Sequence, residues 1–175
     1  MKILSKQLAL KKVARIRDRV TATVRHEYEH KAASCLTCMT PGACCVDAHF
    51  VNIRISRLEA VAINEAINAL PPETAANVRN RIDHAIIEYD LKPDATHANK
   101  FACPLFERGT GCLVHDTAKP IPCIVHACYD SADDLPPVGL ADEAEIAIDR
   151  LNTLTYGRPQ PLLPLPLAIK TNAKP

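Results

Sequence analysis

Eight cysteines fall into two groups, Cys35, Cys38, Cys44 and Cys45, then Cys103, Cys112, Cys123 and Cys128. Thiolates hold soft and borderline cations, and eight are enough for two four-coordinate sites or for one larger cluster with thiols to spare. Cys35-x2-Cys38 is spaced as a knuckle-like pair. The later intervals, Cys103-x8-Cys112-x10-Cys123-x4-Cys128, supply no second such pair, so the pattern is not that of a plain zinc ribbon. The closely spaced cysteine run of a ferredoxin is also absent. Adjacent residues of an extended chain point in opposite directions. Read as extended, Cys44 and Cys45 would serve two different metal atoms, or one would ligate while the other turned inward. His115 and His126 lie within the second group, where an imidazole could replace a cysteine as ligand or donate a hydrogen bond to one.

Metal ligation is preferred over four disulfides because of the expected compartment. The opening MKILSKQLALKKVARIRDRV has no secretory apolar core, since Lys6, Lys11 and Lys12 interrupt it. Its Arg-rich amphipathic character resembles a transit peptide, which Asp18, Glu27 and Glu29 oppose. The expectation is a cytoplasmic protein in a reducing environment, where clustered cysteines serve metal or redox chemistry. No segment is apolar for long enough to suggest a membrane span. The net charge of +1 gives no global field for nucleic acid.

Other motifs carry less. His26, Glu27 and His30 fit the HExxH zincin pattern, and on a continuous helix the two histidines would share a face. The stretch is polar and basic, with no glycine turn or third-ligand motif after it, so it reads as a solvated helical face. The five glycines form no phosphate-binding loop. Asp130, Asp133 and Asp134 read as a solvated acidic turn.

The elements that must position the cysteines are mostly helical. With no Trp and an aromatic fraction of 4%, the core has to be built from Ala, Leu, Ile and Val. Val13, Ile16, Val20 and Val24 predict one long helix over about 6–32. Residues 1–31 carry nine Lys/Arg against three Asp/Glu, which reads first as a solvated helix packing one stripe on the body, with a basic arm for an acidic protein partner as the sharper alternative. Val46 to Ile55 reads as extended. Ser56 and Glu59 form a capping-box pattern opening a helix to about Leu70, with a narrow polar stripe of Arg57, Asn64, Glu65 and Asn68. Pro71-Pro72 ends it and opens a second helix to about Tyr89, with Ala75, Val78, Ile82, Ile86 and Tyr89 on its inner face. The short connection implies an αα-hairpin, which returns the chain close to its start. The two cysteine groups, with 57 residues between Cys45 and Cys103, can then meet.

Residues 93–141 read as an irregular stretch too long to be held by its own hydrogen bonds, so a metal would staple it to the hairpin. A last helix is predicted from Asp142–Glu145 to about Tyr156, stopped by Gly157 and Pro159. The remainder, 158–175, holds five of the fourteen prolines and reads as an extended or mobile tail, with Leu162, Leu163, Leu165 and Leu167 able to lie along the body.

The order Cys35-x2-Cys38-x5-Cys44-Cys45, Ser56-Arg-Leu-Glu59, Cys103-Pro-Leu105, Gly111-Cys112-Leu113, Lys119-Pro-Ile-Pro-Cys123, Cys128 resembles the YkgJ family of cysteine-cluster proteins, zinc- or iron-chelating domains named for a CxxxCxxCC motif. The match covers roughly 35–128 and finds a place for all eight cysteines. The first spacing differs from the one in the family name. Val114-His115-Asp116 stands where Ile-Tyr and an acid are usual, Lys119 replaces an Arg, and Ile124 replaces the Arg after Cys123. The resemblance implies zinc or an iron–sulfur centre held by Cys35, Cys38, Cys44, Cys45, Cys103, Cys112, Cys123 and Cys128. Some members are labelled iron–sulfur oxidoreductases, and a related cluster occurs in flagellin lysine methylases.

The expectation is therefore a mainly α domain, an αα-hairpin with flanking helices and a long irregular cysteine-rich segment held by metal. Its parts are a basic helix over 1–33, a cysteine-cluster domain over 34–157 and a Pro-rich tail over 158–175. The expected function is binding of an iron–sulfur cluster or zinc. The alternatives are an iron–sulfur redox protein or oxidoreductase component, and a partner-binding protein with a purely structural metal. Few acid–base groups accompany the cysteines, which favours binding over catalysis.

Overall fold

The computed structural model describes residues 3–32, 40, 42–46, 52–94, 100–129 and 131–173. Among these the structure is mainly helical, with a few two-residue strands. No helix is long and apolar enough to cross a membrane. The chain divides into two compact units, one of residues 1–41 and 119–160, the other of 42–118 and 161–175.

The first unit is built on helix α1, Lys6–Glu27, started by Ser5, whose hydroxyl accepts from the Leu8 amide at 3.3 Å. Ala9, Val13, Val20 and Val24 form its buried stripe, while Lys11, Lys12, Arg15 and Arg19 face outward. The expected helix over 6–32 is shorter: Tyr28 leaves the helical region at φ −128°, and a single 3₁₀ turn, Glu29–Lys31, follows. The continuous helical face that would have paired His26 with His30 therefore does not exist, and both side chains are exposed. In this unit α1 packs against the helix Ile121–Val125 and the helix Val138–Tyr156. The latter starts before the expected Asp142, with Pro137 as its N-cap in extended conformation. It stops where expected, at Gly157, whose φ of +79° suits glycine and whose amide donates to the Thr153 carbonyl.

The second unit contains helix α2, Ala43–Val46, and then α3, Arg57–Asn68, and α4, Pro72–Glu88. Ser56 and Glu59 make both halves of the capping box that starts α3. Asn64, placed on the polar stripe by sequence, is instead buried. Its Nδ2 donates to the carbonyls of Ala60 (3.0 Å) and Ile169 (2.9 Å), and its Oδ1 accepts from Arg79 of α4. Strand β1, Arg54–Ile55, pairs antiparallel with Leu163–Pro164 near the C-terminus, Ile55 opposite Leu163.

The expected extended tail is thereby corrected: Leu165–Thr171 is a helix with Leu165, Ala168 and Ile169 buried. Prolines do not prevent this, because Pro164 caps the helix and Pro166 falls in the first turn, where no backbone donor is needed. Leu165, Ala168 and Ile169 stand at i, i+3 and i+4, one face of that helix.

The segment expected to depend on metal has its own apolar anchors. Phe101, Leu105, Val114 and Ala118 join Ile55, Ile63, Ile67, Val78, Ile82 and Ile169 in the core. Full burial of one large apolar side chain contributes about 1.5–3 kcal/mol, so hydrophobic packing fastens this part of the segment. Strands β2, Phe106–Glu107, and β3, Gly111–Cys112, pair within it, and α5, His115–Ala118, follows.

Candidate metal centre

Gly42 stands immediately ahead of α2 with φ +78°, a conformation that favours glycine. The ring of Phe106 lies against it, so a Cβ at residue 42 would overlap that ring. Phe106 is in turn the cross-strand partner of Cys112. One glycine thus lets α2, which carries Cys44 and Cys45, seat on the hairpin that carries Cys112.

The second link is a backbone hydrogen bond, from the Cys103 amide to the Cys45 carbonyl at 2.7 Å. Together these contacts bring Cys45 into electrostatic range of Cys44, Cys103 and Cys112, and Cys103 into range of Cys112. The helical hairpin of α3 and α4 occupies the chain between the two pairs. Cys44 and Cys45 are not extended, as expected from sequence, but helical. At 3.6 residues per turn, adjacent helical side chains diverge by roughly 100° rather than pointing oppositely. The inference of two metal atoms from their adjacency loses its basis, and the Cys45 thiol instead hydrogen-bonds the Cys44 sulfur.

Electrostatics at the two central thiols differ in kind. Burial pushes Cys45 up to about 12, and the neighbouring Cys103, Cys44 and Cys112 add to the rise. Burial also pushes Cys103 up to about 12, but here groups act in the other direction. The backbone amides of Leu105 and Phe106 donate to its sulfur, and the Arg81 guanidinium adds positive charge. The Cys103–Phe106 turn is closed by the Phe106 amide on the Cys103 carbonyl, 3.3 Å. Two N–H donors and a nearby cation act on this sulfur in favour of the thiolate, and desolvation, the largest effect, outweighs them while no counter-ion is bound.

Among the described residues, no group of three or more His, Cys, Asp or Glu side chains is arranged to hold a metal ion. Cys44, Cys45, Cys103 and Cys112 are half-buried. Cys123, in the helix Ile121–Val125, and the exposed Cys128 belong to the other unit. Cys35 and Cys38 lie outside the described residues, as does Asp130. His115, at the start of α5, and His126 are exposed. Asp133 is exposed, and Asp134 approaches Lys31 at 3.9 Å.

Three contributors were not singled out from the sequence: Gly42, Phe106 and Arg81. Arg81 had a weak signal, a cation directly preceding Ile82 of the predicted inner face of α4. Gly42 and Phe106 had none, because their contact joins segments distant in the chain.

No protein-family model, curated protein or solved structure matches this chain. The likeness to the YkgJ family therefore rests on the order of its motifs.

Proposed function

We propose that this chain binds zinc or an iron–sulfur cluster through cysteine thiolates, with Cys44, Cys45, Cys103 and Cys112 as the ligand group of the second unit. Cys35, Cys38, Cys123 and Cys128 are the further candidate ligands, on the YkgJ-like motif order. The observation that carries the reading is the gathering of Cys44, Cys103 and Cys112 around Cys45, with two backbone amides and Arg81 acting on the Cys103 sulfur in favour of negative charge. Protonated, these thiols make little use of those donors. As thiolates without a counter-ion they repel one another, and a bound cation converts that repulsion into attraction. The side chains need to rotate about χ1 to converge on an ion, a step between staggered wells.

A zinc ion would supply a tetrahedral anchor, and an iron–sulfur cluster would supply electron transfer. The chain's own residues set the charge around either one.

The test is anaerobic purification of the full chain with iron, sulfide and zinc measured per chain alongside the visible spectrum. Metal bound near stoichiometry is the expected result. Colourless protein with zinc and no sulfide removes the iron–sulfur form. Folded, metal-free protein with eight titratable thiols overturns the proposal.

A further inference from the structure

Arg81 is placed on α4 one residue before the buried Ile82. Its Nε donates to the carbonyl of Pro104 at 2.9 Å, the residue that follows Cys103. Its Nη2 is buried and has no hydrogen-bond partner among the described residues. The guanidinium is within electrostatic reach of Cys103. A guanidinium keeps its charge throughout the pH range in which proteins fold, so it cannot shed that charge to relieve burial. A buried donor of this kind is costly to leave unmatched, and native structures match nearly all of them. A structural tie from α4 to the Cys103–Phe106 turn needs only the Nε bond, and leaves Nη2 unexplained.

We infer that Arg81 is the counter-cation of the thiolate centre, held by the Pro104 carbonyl so that Nη2 is available to negative charge on the Cys103 side of the loaded site. This rests on the thiolate reading proposed above. Four thiolates around a divalent ion carry a net charge of −2, and Arg81 offsets half of it from within the protein, where solvent screens little. Arg81 is a positioning and charge-balancing residue, not a ligand. It lies on the helical hairpin rather than on either cysteine segment, so the helices contribute charge to the site as well as bringing its ligands together.

Anaerobic cobalt(II) titration of the full chain tests this, read by the sulfur-to-cobalt charge-transfer band. Wild type should take up cobalt with that band, and Arg81→Gln should bind about 10–100-fold more weakly, the range for residues that support metal ligands from outside. At saturating cobalt its band should also move to lower energy, because a thiolate relieved of a nearby positive charge gives up electron density more readily. A loss of fold alone would not shift the band of the bound form. Arg81→Lys keeps the charge and loses the planar fork, and should stay within about threefold of wild type with an unshifted band. Arg81→Gln binding with unchanged affinity and band overturns the role of Arg81. So does a folded Arg81→Lys that binds as weakly as Arg81→Gln, or, where Arg81→Gln does not fold, a folded Arg81→Lys beyond that threefold range. Wild type that takes up no cobalt overturns the thiolate reading itself, a separate outcome.

Discussion

The ring of Phe106 fills the place that a Cβ on residue 42 would occupy, so Gly42 is required twice, for its space and for its φ of +78°. The contact seats α2, with Cys44 and Cys45, on the hairpin where Phe106 faces Cys112. Two segments distant in sequence are joined here by one missing methyl group.

Gly42→Ala should destabilise the second unit, with roughly 1–2 kcal/mol from the left-handed backbone alone and a steric term in addition. Phe106→Ala removes the overlap but leaves the backbone strain. The double variant should therefore lose less than the two singles together. Urea unfolding of the four proteins measures this coupling, and simple additivity would show that the ring does not crowd residue 42.

Asn64 joins three helices of the second unit through its bonds to Ala60, Ile169 and Arg79. Asn64→Leu keeps most of the volume and leaves the Ile169 carbonyl and Arg79 without this partner. The expected cost is about 1–3 kcal/mol, typical of an orphaned buried polar group. An unchanged urea midpoint would mean that water replaces the amide.

Ile169 is fully enclosed, so Ile169→Ala should cost about 2–5 kcal/mol by leaving a cavity. Ile146, 53% exposed, is the control, with Ile146→Ala expected within about 0.5 kcal/mol of wild type. Equal effects of the two in denaturant unfolding would show that the C-terminal helix is not part of the core.

In metal-free, reduced protein the raised thiols predict loss of stability in alkali. Below the unfolded-chain thiol pKa, about 8.5, both states are protonated and the stabilising contribution is complete. As pH rises, the unfolded chain releases its protons first, and the contribution falls until the folded thiols titrate at about 12. The urea midpoint of wild type should therefore drop more steeply from pH 8 to roughly pH 10.5 than that of the Cys45→Ala/Cys103→Ala double variant. Parallel curves would show that these thiols are not desolvated.

Much of the helical layout was legible because its signals are local. Ser56 and Glu59 cap a helix through atoms three residues apart, and Val78 and Ile82 share a face by helical period alone. Gly157 ends its helix by its own backbone freedom. The C-terminal helix was misread from proline content, although Pro164 and Pro166 occupy its cap and first turn and Leu165, Ala168 and Ile169 carry its period. Cys44 and Cys45 were misread because their conformation is set by Gly42 and its contact with Phe106.

By itself the sequence determined the inventory of eight thiols, the capping-box start of α3, the stop at Gly157 and the hairpin between the cysteine groups, since each depends on residue type and short-range spacing. Only the tertiary structure decided that Cys45 and Cys103 share a backbone hydrogen bond, that Asn64 is a buried link, and that Arg81 stands beside Cys103. These relations join residues tens of positions apart, and their energy comes from close packing and desolvation, which no local pattern records.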